Sequence, residues 1–254
     1  MRALIASGEL GRVGMVNTWC FTDWMYRPRL AAELDVELGG GTLFRQGAHQ
    51  FDILRLLCGG RVRSVRAKAF DWDPKRRAIG AHMAFVEFDN GAAASAVYNG
   101  YGGLSSMDLC FDISEWGFHQ PAAARKTQRA LPGETAAQEL QAKQARARHA
   151  IPAQAPFQPF FGLTVVSCEH GDIRQSPTGL LVCTAQGQRE IALPNDQSPR
   201  DLVLAEFFDA ITGRQAALHD GRWGLATLEV CVAALESSRA GQDVLLHEQV
   251  AVPP

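Results

Sequence analysis

Asp89-Asn90-Gly91 stands between two segments of alternating apolar character, residues 80–88 and 92–100, and this arrangement constrains the fold more than any other feature of the chain. An Asn-Gly pair accepts the positive φ angles of a tight turn, so the two segments are predicted to pair as an antiparallel hairpin. The pattern extends on both sides. Residues 62–71, 109–116 and 164–169 read as further strands, and 180–184 returns through Gln186-Gly187 into 189–193 after a Ser-Pro-Thr-Gly turn at 176–179. Residues 13–24 read as one long strand with Val13, Met15, Asn17, Trp19, Phe21 and Asp23 on a single face. Strands joined by hairpins, with few helices between them, predict an α+β chain. The expected architecture is a large open, predominantly antiparallel sheet with helices on one face, not a series of βαβ units.

The helices are marked by spacing and by glycine stops. From Thr42 to Cys58 the residues Leu43, Gly47, Phe51, Leu54 and Cys58 recur at helical intervals, and Gly59-Gly60 ends the run. Residues 2–7 read as the last turns of a helix stopping at Gly8, and two helices over 199–213 and 221–241 close the chain. Gly8, Gly11 and Gly14 approach a dinucleotide fingerprint, but the G-x-G start is missing. A helix precedes them and a strand follows, the reverse of the order that places a helix N-terminus under a pyrophosphate. Residues 120–159 differ in kind, being rich in Ala, Gln, Arg and Lys and bracketed by proline, and are predicted to be a helical insertion in one domain spanning 1–254. Its basic residues, Arg125, Lys126, Arg129, Lys143, Arg146 and Arg148, are partly balanced by Glu134 and Glu139. They read as a solvated face, with contact to a neighbouring subunit as the alternative.

The 254 residues carry a formal net charge of -2 at pH 7, and 46% of them are hydrophobic. That is enough for a sizeable core and leaves no overall pull toward nucleic acid or anionic membrane. No apolar run approaches the roughly 20 residues of a membrane span, and the N-terminal run is too short for a signal peptide, so a cytoplasmic protein is expected. Six cysteines lie apart without a C-x-x-C pair and are expected to be buried and reduced. Cys168-Glu169-His170 mixes metal-ligand types, but consecutive strand residues cannot face one ion, so no metal site is expected. Trp116 and His119 read as part of an aromatic belt.

Arg45, His49 and Asp52 are spaced i, i+4, i+7, so a helix gathers three ionisable groups on one stripe opposite Leu43, Gly47, Phe51 and Leu54. Histidine exchanges a proton near neutrality, a carboxylate can orient it, and a guanidinium binds anions. Spacing alone equally describes a solvated helix face.

The stretch Gly39-Gly40-Gly41, followed by Arg45, Gly47, His49, Asp52 and an apolar helix, resembles the signature of the Gfo/Idh/MocA oxidoreductases, whose usual pattern is G-G-G and then D-x-G-x-H-x-x-D. Residues 5–14 are similar to the junction at which that family's chain leaves its Rossmann domain. The segments 206–211, 221–229 and 234–238 are similar to its C-terminal helices. The resemblance implies a substrate-binding and oligomerisation domain, with NAD or NADP held mainly by a Rossmann domain absent here. The chain alone would then bind no dinucleotide and be inactive. It further implies that His49 moves the proton of a substrate hydroxyl, and that the chain forms a homodimer or homotetramer through its sheet face. A stand-alone, non-catalytic binding or scaffold protein derived from the same domain is the alternative.

Residues 23–29, with 44–50, are most similar to the phthalate cis-dihydrodiol dehydrogenase branch, which oxidises a carboxylated ring diol to a catechol. The family aspartate four residues before the histidine is Arg45 here, which favours a small anionic substrate over a polyol. Arg27, Arg29, Tyr26 and Asp52 join Arg45 as expected substrate-binding residues. The competing reading of Arg27 and Arg29 is a solvated loop.

Overall fold

A computed structural model describes residues 1–124, 135–149 and 155–252. The chain opens with a short helix, α1 (Arg2–Ala6), and the strand β1 (Val13–Phe21). After three single-turn 3-10 helices come α2 (Gly41–Arg45) and α3 (Gly47–Cys58), then β2 (Val62–Phe70), β3 (Ala81–Phe88) and β4 (Ala93–Asn99). The insertion carries α4 (Ala136–His149). A meander follows of β5 (Leu163–Cys168), β6 (Gly171–Ser176), β7 (Gly179–Thr184) and β8 (Gly187–Ala192). The chain ends with α5 (Pro199–Ile211), α6 (Gly221–Ala240) and the two-residue β9 (Val244–Leu245). Residues 125–134 and 150–154 of the predicted insertion, including Arg125, Lys126, Arg129 and Glu134, lie outside the described residues.

The nine strands form one open sheet in the order β8-β7-β6-β5-β1-β4-β3-β2-β9. β1 and β4 run parallel, and every other neighbouring pair is antiparallel. The β3–β4 hairpin turns where the sequence places it, with Gly91 at φ 87°. Helices α3 and α6 cover one face. Phe51, Leu54 and Leu57 of α3 and Val230, Cys231 and Ala234 of α6 enter a common core with Val16, Val65, Val86 and Ala96 of the strands. Side chains alternate across a pleated sheet. The residues between these point the other way, and Met15, Trp19, Met83 and Phe85 are 40–54% exposed there.

Three local expectations need correction. The helix predicted over Thr42–Cys58 is two helices, broken at Gln46, whose φ of -127° and ψ of -38° leave the helical region. Residues 109–116 form no strand. They follow a 3-10 turn, Ser106–Leu109, and hold Phe111 and Asp112 at positive φ. The apolar residues Cys110 and Ile113 of that segment pack with Phe160 and Leu163 in a small separate core, so their spacing reflects burial of a loop and not a pleat. β9, at only two residues, has too little sequence to carry an alternation signal.

All six cysteines are free thiols: Cys20, Cys58, Cys110 and Cys231 are buried, and Cys168 and Cys183 are half-buried. No described helix is long and apolar enough to cross a membrane.

Candidate active site

The break at Gln46 lies where the chain crosses a buried histidine. A Cβ on Gly47 would stand 3.2 Å from Cε1 of His82, so a glycine allows the helix start to come this close. The His82 ring is stacked on Tyr98 and tilted against Phe51, with centroids 5.7 and 6.1 Å away. Its Nε2 lies 3.2 Å from Oε1 of Gln50, while Gln50 Nε2 donates to Oγ1 of Thr18 at 3.1 Å and to the Val97 carbonyl at 3.0 Å. Because the Gln50 amide donates to two acceptors at its nitrogen end, its oxygen faces His82. The proton therefore sits on His82 Nε2, and Nδ1 is left as a buried acceptor with no partner. Burial pushes the His82 pKa down to about 3. This network fixes the first turn of α3 to β1, β3 and β4.

On the outer side of that turn His49 is exposed, with its ring edge-on to Phe161 at 5.4 Å and 70°. Arg45, the last residue of α2, is exposed and makes no hydrogen bond or ion pair among the described residues. Asp52, one turn beyond His49, points at the start of α6. Its Oδ1 accepts a hydrogen bond from the indole Nε1 of Trp223, and its Oδ2 lies 3.7 Å from Nε2 of His219. The buried Arg55 guanidinium lies over the same indole at 3.9 Å and donates to the Trp223 carbonyl at 3.0 Å. Burial pushes Arg55 down to about 10, against the opposing pull of Asp52 and Glu229. Asp52 thus sits in the α3–α6 joint, while Arg45 and His49 face outward.

Arg27 and Arg29 follow the 3-10 turn Trp24–Tyr26 and are largely buried. Arg27 Nε donates to Oδ1 of Asp23 at 2.6 Å, and its Nη1 lies 3.6 Å from Glu115. Burial disfavours the Arg27 charge, but Glu115 and Asp23 outweigh it and raise the pKa. Arg29 lies 3.9 Å over the Trp24 ring and 3.6 Å from Glu33; burial pushes it down to about 10. Both guanidiniums are matched with internal carboxylates at i, i-4 or i, i+4, spacings already present in the sequence. Tyr26 is half-buried beside them, and Gly102 packs against its ring. Trp24 shares a small core with Tyr98 and with Phe161, the ring that touches His49, so Phe161 is the wall common to the two groups. Sequence reasoning missed Phe161, Gln50 and His82, which make their contacts across long sequence separations.

The insertion also returns to this region. Glu139 of α4 accepts from Nη2 of Arg76 at 2.7 Å and from the backbone N–H of Arg29 at 2.8 Å, and Lys143 donates to Glu33 at 2.6 Å. Arg76 uses its other terminal nitrogen to hold the Met25 and Arg27 carbonyls at 2.9 and 2.8 Å. These α4 side chains are therefore engaged within the chain and are not a solvated face.

The Gly8–Gly14 segment does not fit a dinucleotide. α1 precedes it and β1 follows, and a Cβ on Gly11 would meet the Glu169 carboxylate at 2.7 Å. That carboxylate is bound by Arg12, whose Nε donates to it at 2.8 Å. An acidic group fills the turn where a pyrophosphate would need backbone N–H donors. Among the described residues, no group of three or more His, Cys, Asp or Glu side chains is placed to hold a metal ion.

Comparison with known proteins bears on this arrangement. Residues 1–105 match the family model of the GFO/IDH/MocA C-terminal domain. The chain is 36% identical, over 249 residues, to 1-carboxy-3-chloro-3,4-dihydroxycyclo hexa-1,5-diene dehydrogenase of Comamonas testosteroni, covering 94% of this chain and 62% of the relative. It superposes on the structure of a protein described as a dehydrogenase from Bordetella bronchiseptica RB50 with a TM-score of 0.84 and 40% identity, over 96% of this chain and 65% of that one. An oxidoreductase from Agrobacterium radiobacter, solved with NAD+, L-tartaric acid and magnesium, shares the fold with a TM-score of 0.59 and 18% identity, over 96% of this chain and 60% of that one. The chain thus spans under two thirds of the length of these relatives. The signature around His49, the open nine-stranded sheet and these matches together place the chain in the Gfo/Idh/MocA family, to which it belongs through the C-terminal domain.

Proposed function

We propose that this chain is the substrate-binding half of a nicotinamide-dependent dehydrogenase acting on a carboxylated cyclic diol. One observation carries the reading: Arg45, exposed and without an internal carboxylate partner among the described residues, ends α2 four residues before the exposed His49. An unneutralised guanidinium offers a bidentate fork to a substrate carboxylate. Oxidation of a carbinol takes a hydride from carbon and a proton from oxygen, and His49 is the group on this chain suited to accept the proton. Phe161 holds the imidazole edge-on and walls the site. Arg27 and Arg29, matched with Asp23, Glu115 and Glu33, shape the wall beneath Tyr26 and do not themselves bind the anion. The Comamonas testosteroni relative is named for a substrate with a carboxyl group and two ring hydroxyls, which supports the same substrate class.

The described residues form no pyrophosphate site, so the dinucleotide is assigned to a further domain. The fold neighbour from Agrobacterium radiobacter was solved with NAD+, which supports nicotinamide use. The test is a fusion in which the part of the Comamonas testosteroni relative outside the match precedes this chain. Reduction of NAD+ or NADP+ by a carboxylated cis-dihydrodiol is expected, with Arg45→Ala raising KM and His49→Ala lowering kcat. Equal activity on a neutral dihydrodiol that is indifferent to Arg45→Ala would remove the carboxylate reading. A fusion inactive on both diols would leave a non-catalytic binding protein.

A further inference from the structure

Helix α5 has no buried residue. All six of its large apolar side chains, Leu202, Val203, Leu204, Phe207, Phe208 and Ile211, are 48–65% exposed. Five of them, from Val203 to Ile211, fall at i, i+1, i+4, i+5 and i+8 and make one continuous stripe. The opposite side of α5 is anchored to the domain: Glu206 accepts from the backbone N–H of His219 at 3.0 Å and lies against its ring. The stripe therefore faces away from the domain that holds the helix. α6 repeats the situation. Its inner side is core, yet Leu225, Leu228 and Val232 are 39–50% exposed on its outer side. A helix that is apolar all round is covered on both sides, and monomers rarely leave so large a patch open to water.

We propose that the outer face of α5 and α6 seats the dinucleotide-binding domain, an inference that rests on the functional reading above. A second copy of this chain is the competing occupant, and three observations favour the domain. The relatives that match nearly all of this chain are each more than half as long again, so further residues accompany the same core. The face is continuous with the candidate site: the first turn of α6 carries Trp223, which is bonded to Asp52 on the helix that carries His49. A domain seated there lies beside the group that must meet the reacting substrate. The opposite face of the sheet offers its own apolar patch at Met15, Trp19, Met83 and Phe85, leaving a separate surface for association between copies.

Hydrogen exchange locates the contact, comparing this chain alone with the fusion described above. The α5 and outer α6 amides are expected to exchange at least tenfold more slowly in the fusion. The double variant Phe207→Ser with Ile211→Ser should abolish that protection while leaving the helical circular dichroism of the isolated chain unchanged, since neither side chain is buried in it. An active fusion with α5 amides as fast as in the isolated chain would overturn the seat while the functional reading stood. An inactive fusion would overturn the functional reading, with protection at α5 still deciding the seat. Protection in the isolated chain that rises with its concentration would assign the face to a second copy and overturn the proposal.

Discussion

The Asp52 carboxylate on α3 accepts the indole N–H of Trp223 on α6, joining two helices 171 residues apart in sequence over the same sheet face. The bond sits beside Arg55, a buried guanidinium that donates to Thr227 at 2.5 Å and to Val250 at 3.2 Å. Asp52 is thus both an acceptor for the indole and a compensating charge for the arginine. Asp52→Leu is expected to lower the unfolding free energy by about 2 kcal/mol, the range of a hydrogen bond to a charged group. Asp52→Asn should lose less, because it keeps an acceptor for Trp223. Urea unfolding of both variants checks this; equal losses would show that the indole bond contributes nothing. In a double-mutant cycle with Trp223→Phe, a coupling near zero would likewise remove the bond as a source of stability.

The site was legible in the sequence as far as its residues are local. Gly39–Gly41, His49 and Asp52 are a contiguous signature, and the strands around Asn90-Gly91 announce themselves through turn chemistry. What was not legible depends on partners far along the chain. The break at Gln46 follows Gly47 passing over His82, which lies in another strand, and nothing in residues 42–58 alone signals it. Arg27 and Arg29 read equally well as anion binders or as a solvated loop. Their i, i±4 spacing to Asp23 and Glu33 was the available sign of internal pairing, but only the fold shows both arginines largely buried. The apolar stripe of α5 is plain in the sequence, whereas its lack of any buried residue is a property of the fold.

The insertion helix is held mainly by one pair. Arg76 and Glu139 are 6% and 12% exposed at the side chain, and Arg76 also binds the carbonyls that precede and follow Tyr26. Removing one member of a buried pair leaves the other charge uncompensated, at a cost of about 3 kcal/mol or more. Lys143 and Glu33, at 35% and 14% exposed, are better solvated, and their pair contributes about 1 kcal/mol or less. Glu139→Ala is therefore expected to accelerate proteolysis within α4 far more than Lys143→Ala does. Equal cleavage rates for the two variants would show that the helix is held by something else.

His82 sets an acid limit on stability. Its folded pKa is depressed to about 3 by burial, whereas the unfolded chain takes up a proton at its ordinary value near 6.5. Between those values the unfolded state binds one more proton than the native state at this residue. The contribution is fully present above about pH 6.5 and is lost as pH falls toward 3, at up to about 1.4 kcal/mol per pH unit. Denaturant unfolding at pH 7, 6, 5 and 4 should show this slope. In His82→Gln the slope should be flatter by that amount, whatever the variant's stability at pH 7. An unchanged slope would mean that the histidine is protonated in the folded chain.

The outer sheet face is expected to hold a second copy of the chain. In the register of the strands Trp19 lies beside Val97, which lies beside Met83, and Phe85 lies beside Ser95, which lies beside Asn17. These positions form a two-row patch across β1, β4 and β3, with no charged side chain in either row. The helices that bury the opposite face leave this one open, and an uncharged pleated surface of this kind is self-complementary about a two-fold axis. Sedimentation equilibrium at micromolar concentration should give a mass above that of the 27.6 kDa chain. Phe85→Glu places a charge in the second row, facing its own counterpart across a two-fold, and should return the mass to that of one chain. The α5 double variant leaves this face untouched and should keep the wild-type mass. A wild-type chain that sediments at 27.6 kDa would remove the sheet face as an interface between copies.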